Sequence, residues 1–362
     1  MASRSLIHFA CLDGSVDAIR QCLDQSHGAD VDLAAQRGMT PLHFAVMHGH
    51  MDAAALLLDR GADVNKAMAG GTTALYAACF LGSLILARLC VERGADVNRA
   101  KDSGWTPLDM VCFSGGIEIA TLLVENGADV ERAIPGGNTP LFAACELGHT
   151  DVALLLLERG GADVDRANQE GLTPLFTACW HGRADAVRLL LDRGADVNLA
   201  TQDARTPLMA ACWEGRPDVV RLCLERGADI HARDDDDYSP LGVAYAGAHE
   251  EIVAWLEQLE RSGWTSHLSE PRYELVILRT LAARGRAHQV RRRAFRGKEH
   301  VLDLLFPGDQ PPPQAEKQAK RGLHLPDDLF PLVARYYWGG GMSAEEEAAA
   351  AVEAAARVAA QL

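Results

Sequence analysis

No apolar run in this chain approaches the roughly 18 residues that a bilayer-crossing helix requires, so no membrane span is expected. The chain enters its first repeating segment by Leu6, which leaves no room for a secretory leader, and a cytoplasmic protein is expected. Nine cysteines are present, yet no two form a Cys-x-x-Cys pair, so no zinc site is expected and the thiols read as small core residues in a reducing compartment. Gly70-Gly71 and Gly136-Gly137 are not followed by Gly-Lys-Ser/Thr, no Gly-x-Ser-x-Gly elbow occurs, and the histidines lack the paired spacing of a zinc hydrolase. No catalytic residue, cofactor or metal is therefore assigned, and an enzyme is not expected. Aromatic residues make up 6% of the chain against 48% hydrophobic residues overall, a balance that suits close packing of leucine and alanine on small helices. The formal charge is −15, and since residues 262–362 hold 14 Lys and Arg against 12 Asp and Glu, the acidity lies in the preceding part. An acidic surface repels phosphate backbones, so no nucleic-acid partner is expected.

What is present is a fixed period. A Thr or Ser followed by Pro or Ala and then Leu recurs at Thr40, Thr73, Thr106, Thr139, Thr173, Thr206 and Ser239, every 33 residues with a single step of 34. A Gly-Ala-Asp signal keeps the same interval at Gly28, Gly61, Gly94, Gly127, Gly161, Gly194 and Gly227, and the extra residue falls in the Gly160-Gly161 pair. In the unit that opens at Thr40, threonine suits an N-cap, Pro41 suits the first helical position, and Gly49 ends the helix. A second helix, residues 51–60, carries Ala54, Leu57 and Leu58 on one face and stops at Gly61. Two helices of about ten residues expose too much apolar surface to stand alone, so the units must stack.

Thr40-Pro41-Leu42-His43, then Gly49-His50, then Gly61-Ala62-Asp63-Val64-Asn65 resemble the ankyrin repeat. The resemblance covers residues 5–260 and includes a first unit built on Leu6-Ile7-His8-Phe9-Ala10, whose second helix runs two residues long through Ser26 and His27. It implies an all-α solenoid of about eight helix-turn-helix units with hairpin turns, followed by a short helical C-terminal extension. The family's histidine stands at His8 and His43, whereas Tyr76, Asp109, Phe142, Phe176, Met209 and Gly242 take its place later. The threonine–histidine network that the resemblance implies is carried over to the first two units only.

Positions not dictated by packing are the turn tips and the two residues before the first helix's closing glycine. The latter are Met47-His48, Phe80-Leu81, Phe113-Ser114, Glu146-Leu147, Trp180-His181, Trp213-Glu214 and Ala246-Gly247. The resemblance implies that this row lies on a concave face, with Met47, Phe80, Phe113, Trp180 and Trp213 toward a protein partner. Large rings in a polar rim are the usual composition of an interface; the alternative is that they lean on neighbouring units or lie under the C-terminal segment. Candidate partner-binding residues are Met47, His48, Phe80, Leu81, Phe113, Glu146, Trp180, His181, Trp213 and Glu214, with Trp105, Arg205 and Tyr238 from the turn tips. The run Asp234–Asp237 lacks the glycine turn and distal glutamate of a calcium loop and reads as a solvated acidic tip. The histidines read as surface or cap residues.

The sequence divides into the array at residues 1–260, a helical cap at 261–306, a Pro-rich linker at 307–324, a short amphipathic helix at 325–338, and a Gly linker with an Ala/Glu-rich helix at 339–362. Arg291-Arg292-Arg293 with Arg296 and Lys298 offers a nuclear-import signal or a solvated helix face. Leu325-Pro326-Asp327-Asp328-Leu329 resembles the start of an F-box helix. The expected function is a non-enzymatic protein-interaction scaffold, monomeric, binding on the concave face; the alternative is a substrate-recognition adaptor of a ubiquitin ligase that uses residues 325–338.

Overall fold

The computed structural model describes residues 2–25 and 30–262. The expected extra length at Ser26 and His27, the cap, linker and helices expected over 263–362, and the F-box-like segment at 325–338 lie outside the described residues. Among the described residues the chain is all-helical, with eight helix pairs and no strand. They fall into two compact units, which divide after Trp105.

The first unit holds α1 (Ala2–Leu12) with α2 (Val16–Gln25), α3 (Pro41–Met47) with α4 (Met51–Asp59), and α5 (Ala74–Phe80) with α6 (Leu84–Glu92). The second holds α7 (Pro107–Ser114) with α8 (Ile117–Glu125), α9 (Pro140–Leu147) with α10 (Thr150–Leu155), α11 (Pro174–Trp180) with α12 (Ala184–Asp192), α13 (Pro207–Trp213) with α14 (Pro217–Glu225), and α15 (Pro240–Ala246) with α16 (Glu250–Arg261). Within each unit the odd-numbered helices pack on one another in sequence order, and each packs on its own even-numbered partner.

The period encodes this arrangement through caps and core residues. The hydroxyls of Thr40, Thr73, Thr106, Thr139, Thr173, Thr206 and Ser239 each accept the backbone N–H three residues on, so every one of those helices starts at the expected place. The leucine of each motif, from Leu42 through Leu208, is at most 1% exposed. Leu241, with no described helix beyond α15 and α16, is half-buried instead. The extra residue of the 34-residue step is absorbed as one wide π turn over Leu156–Gly160, after which Gly161 takes the left-handed conformation.

Three hydrogen-bonded ladders tie successive repeats together. At the tips, Ala69 N–H donates to Arg37 O at 2.7 Å and Asp102 N–H to Gly70 O at 3.0 Å in the first unit; Gln169 N–H donates to Gly136 O at 3.0 Å and Asp235 N–H to Asp203 O at 3.2 Å in the second. Below them the Gly-Ala-Asp-Val-Asn signal finds its use: Asp96 N–H donates to Asn65 Oδ1 at 2.7 Å, and Asp229 N–H to Asn198 Oδ1 at 2.8 Å. On the second helices, arginines reach carboxylates one repeat earlier, as in Arg93–Asp59 at 3.0 Å and Arg193–Glu158 at 2.7 Å. These pairs are substantially exposed, so each contributes little beyond orientation.

None of the nine cysteines is in a disulfide; eight are buried and Cys22 is half-buried. Burial pushes the Cys11 and Cys90 thiols up to about 12, and Cys79, Cys112, Cys145, Cys179 and Cys212 higher than their ordinary value as well. Matching cysteines form a core stripe as expected. The two stripes also meet, however: Cys179 of α11 and Cys223 of α14 bring their sulfurs to 3.6 Å. Titration of the native protein with an aromatic disulfide reagent at neutral pH should modify one thiol, Cys22, within minutes, and all nine after denaturation. Rapid modification of several thiols in the native state would mean that the core is not closed.

Candidate functional site

The residues before each closing glycine sit where the first helix of a pair ends and the chain turns into the second. The backbone there is held by a contact in which histidines read as surface or cap residues do cap a helix, that of the preceding repeat rather than their own. The residue that opens the second helix reaches back over the glycine of the preceding repeat and donates to the last carbonyls of its first helix. In the first unit His50 Nε2 donates to Leu12 O at 2.8 Å. In the second unit His149 Nε2 donates to Phe113 O at 3.1 Å, Arg183 Nε to Glu146 O at 3.0 Å, and His249 Nε2 to Trp213 O at 2.7 Å. Helix ends leave carbonyls without intrahelical partners, and these side chains satisfy them from the next repeat. His50, His149 and His249 are therefore inter-repeat staples.

In the first unit, His48 is exposed, Phe80, Leu81 and Trp105 are half-buried, and Met47 is 7% exposed. The rings of His48 and His50 stack at 6.3 Å; although the His48 side chain is open to solvent, partial desolvation by the surrounding protein, followed by the neighbouring His50, lowers its pKa. Lys101 lies over the Tyr76 ring at 5.0 Å. Desolvation is the larger influence on Lys101 and lowers its pKa, against the opposing charge of Asp102.

In the second unit, Phe113, Trp180, His181, Arg205, Trp213 and Glu214 are half-buried and Tyr238 is 43% exposed. Trp180 stacks on Phe176, with centroids 6.3 Å apart and planes 23° apart. Glu146, which occupies the aromatic position on α9, is 8% exposed and lies 3.4 Å from His181 Nε2. Met47 and Glu146 thus offer no open side chain, whereas the rings of α7, α11 and α13 are partly in solvent at one repeating position.

The acidic tip differs from its expected form. Asp234 is buried at 6% exposure, and its Oδ1 accepts the N–H groups of Asp236 and Tyr238 at 3.1 and 2.8 Å. It is the organiser of the turn rather than part of a solvated run; Asp235, Asp236 and Asp237 are exposed. Asn168 does the same two turns earlier, accepting from Glu170 and Leu172 at 3.0 and 2.9 Å. The side-chain type at that register was the available signal, since Asn, Thr and Asp are the residues that bond their own turn. Arg205 Nε lies 4.0 Å from Asp234 Oδ2.

The histidine position also departs from a simple loss of function. In the first unit His43 Nδ1 accepts Thr40 N–H at 3.2 Å and its Nε2 donates to Thr72 O at 3.1 Å, while His8 Nε2 donates to Leu33 O at 2.9 Å. In the second unit Asp109 takes the Thr106 N–H and hydroxyl on Oδ2 at 2.8 and 2.7 Å. Half of the network therefore survives beyond the second repeat, made by a carboxylate.

Among the described residues no group of three or more His, Cys, Asp or Glu is placed to hold a metal ion, and no helix is long and apolar enough to cross a membrane. A family model described as ankyrin repeats in three copies matches residues 2–68, 66–134 and 131–201, and a single ankyrin-repeat model matches residues 203–235. No curated protein matches the chain. The helix pair α15 and α16 lies beyond the matched residues and repeats the same arrangement.

Proposed function

Because the chain belongs to the ankyrin repeat family, whose arrays are generally protein–protein interaction modules, we propose that it is a non-enzymatic scaffold that grips a protein partner along the row before the closing glycines. The observation that carries this reading is the recurrence of half-buried rings at one register on α7, α11 and α13. Packing inside a stack demands small residues on first helices, and the core here is supplied by alanine, cysteine and leucine. Rings that sit half in water at a repeating position add area where another chain can cover it, and tryptophan is enriched among residues that dominate binding energy. The tips of the second unit contribute Arg205 and Tyr238 as polar and aromatic flanks. Nine cysteines kept as thiols support a reducing compartment, the cytoplasm or the nucleus, and a monomeric array is the form proposed.

Replacing Trp180 and Trp213 together by alanine should weaken partner capture in a proximity-labelling or affinity comparison by tenfold or more. The same variant should unfold within about 1 kcal/mol of wild type, the range for residues away from the packed core. A loss of several kcal/mol with unchanged capture would make both rings core residues and remove the proposal.

A further inference from the structure

Charge is distributed unevenly over the candidate surface, and we infer that the second unit's row takes a cationic peptide segment in which Arg or Lys alternates with apolar residues. This rests on the protein-binding reading above and adds the chemistry of the partner. At the helix ends the row reads Phe113, Glu146, Trp180 and Trp213, followed on the next position by Ser114, Leu147, His181 and Glu214. Its formal charges are two carboxylates; the one imidazole, His181, lies 3.4 Å from Glu146, and Arg216 lies 3.8 Å from Glu214. The tips of the same unit, residues 134–138, 168–172, 201–205 and 234–238, carry six carboxylates against one guanidinium. The tips of the first unit, residues 35–39, 68–72 and 101–105, carry two cations against one carboxylate.

Four of the carboxylates, Asp203, Asp235, Asp236 and Asp237, are exposed, and Arg233 meets Asp237 at 3.2 Å. Four of the six carboxylates fall on the last tip, residues 234–238, and exposed charges act over about 8 Å at physiological salt, so the acidity acts on an approaching chain at that end of the row. The rings reinforce the same sign, because the face of tryptophan attracts a cation. The chain already makes such contacts internally, with Lys101 over Tyr76 at 5.0 Å and Arg221 over Trp255 at 6.0 Å. Apolar residues between the cations fill the half-buried aromatic positions, and an anionic segment is repelled by the tips.

The test uses the full-length protein and three fluorescein-labelled twelve-residue peptides, alternating Arg-Leu, Gln-Leu and Glu-Leu, followed by anisotropy at about 50 and 300 mM salt. The Arg-Leu peptide should bind, weaken at least tenfold at the higher salt, and weaken at least tenfold in Trp213→Ala and in the triple variant Asp235→Asn, Asp236→Asn, Asp237→Asn. Neutralising three carboxylates on second helices, Glu118→Gln, Asp185→Asn and Asp218→Asn, should change binding less than twofold, which separates the face from general acidity. No binding of the Arg-Leu peptide, or equal loss in the second-helix control, overturns the inference. If the Gln-Leu peptide binds as well and with the same dependence on Trp213, the charge inference fails while the protein-binding reading stands.

Discussion

Gly215→Ala is expected to destabilise the protein by about 2–4 kcal/mol, and Gly194→Ala by only about 1, although both glycines have left-handed backbones with φ of +65° and +86°. The difference lies in what a methyl group would meet. A methyl group at Gly194 would meet nothing within 4 Å beyond its own chain neighbours, so alanine there has only the backbone penalty. At Gly215 the added Cβ would fall 2.3 Å from the His249 ring, which crosses the glycine to donate from Nε2 to Trp213 O. Alanine must push that ring aside and lose its hydrogen bond, leaving the end of α13 without the donor that the next repeat supplies. Both effects are local, and both act on the backbone that carries Trp213 and Glu214.

A double-mutant cycle with His249→Ala checks the mechanism by urea denaturation. Removing the imidazole leaves alanine at position 215 with room, so in that background Gly215→Ala should fall to about 1 kcal/mol, the same as Gly194→Ala. Strict additivity of the two substitutions would show that ring and methyl do not compete. A peptide bound through Trp213 should also dissociate faster from Gly215→Ala than from Gly194→Ala, because only the first disturbs the helix end that positions the ring.

The architecture was readable from the sequence because its determinants are local and recur. A threonine three residues before the N–H it caps, a leucine at the next-but-one position and a glycine past the helix end each act within a few residues, and the period repeats the signal. The candidate rings were readable by register for the same reason. What register does not carry is a contact between residues about 36 apart whose side chains differ in type: His50, His149, Arg183 and His249 share a place and an action without sharing chemistry. Nor does register tell a buried carboxylate from a solvated one. Asp234 and its three successors are identical in the sequence, and only the turn's own hydrogen bonds separate the first from the rest. Position alone places Glu146 in the open row, whereas its carboxylate is drawn into the surface beside His181.

Asp109→His should raise stability at pH 8 by about 2 kcal/mol and lower it at pH 4, with the two proteins crossing in between. Asp109 is 3% exposed, and burial, the largest influence, pushes its carboxyl from 3.8 up to about 6, against the hydrogen bonds from Thr106 and the charge of Arg132, while Asp129 adds to the rise. The native state thus holds a proton between about 4 and 6 that the unfolded chain releases. Stability from this group is complete below the unfolded pKa of 3.8 and falls as pH rises through about 6, so at neutral pH a buried carboxylate weighs against the fold.

The chain contains its own alternative at the equivalent position of α3. His43 is 1% exposed and neutral, with Thr40 N–H on Nδ1 and Thr72 O on Nε2, and burial lowers its pKa from 6.5 to about 4. Its sign is the reverse: stability is complete above 6.5 and is lost as pH falls toward 4. A histidine at position 109 has Thr106 N–H available in place of Thr40 and the carbonyl of Asn138 at the register of Thr72. It therefore exchanges a penalty at high pH for one at low pH. Urea midpoints from pH 4 to 8 should converge and then invert, and the mirror change His43→Asp should weaken the protein most at pH 8. A histidine variant that is less stable than wild type across the whole range would mean that the ionised carboxylate, with Arg132 near it, is the stabilising form.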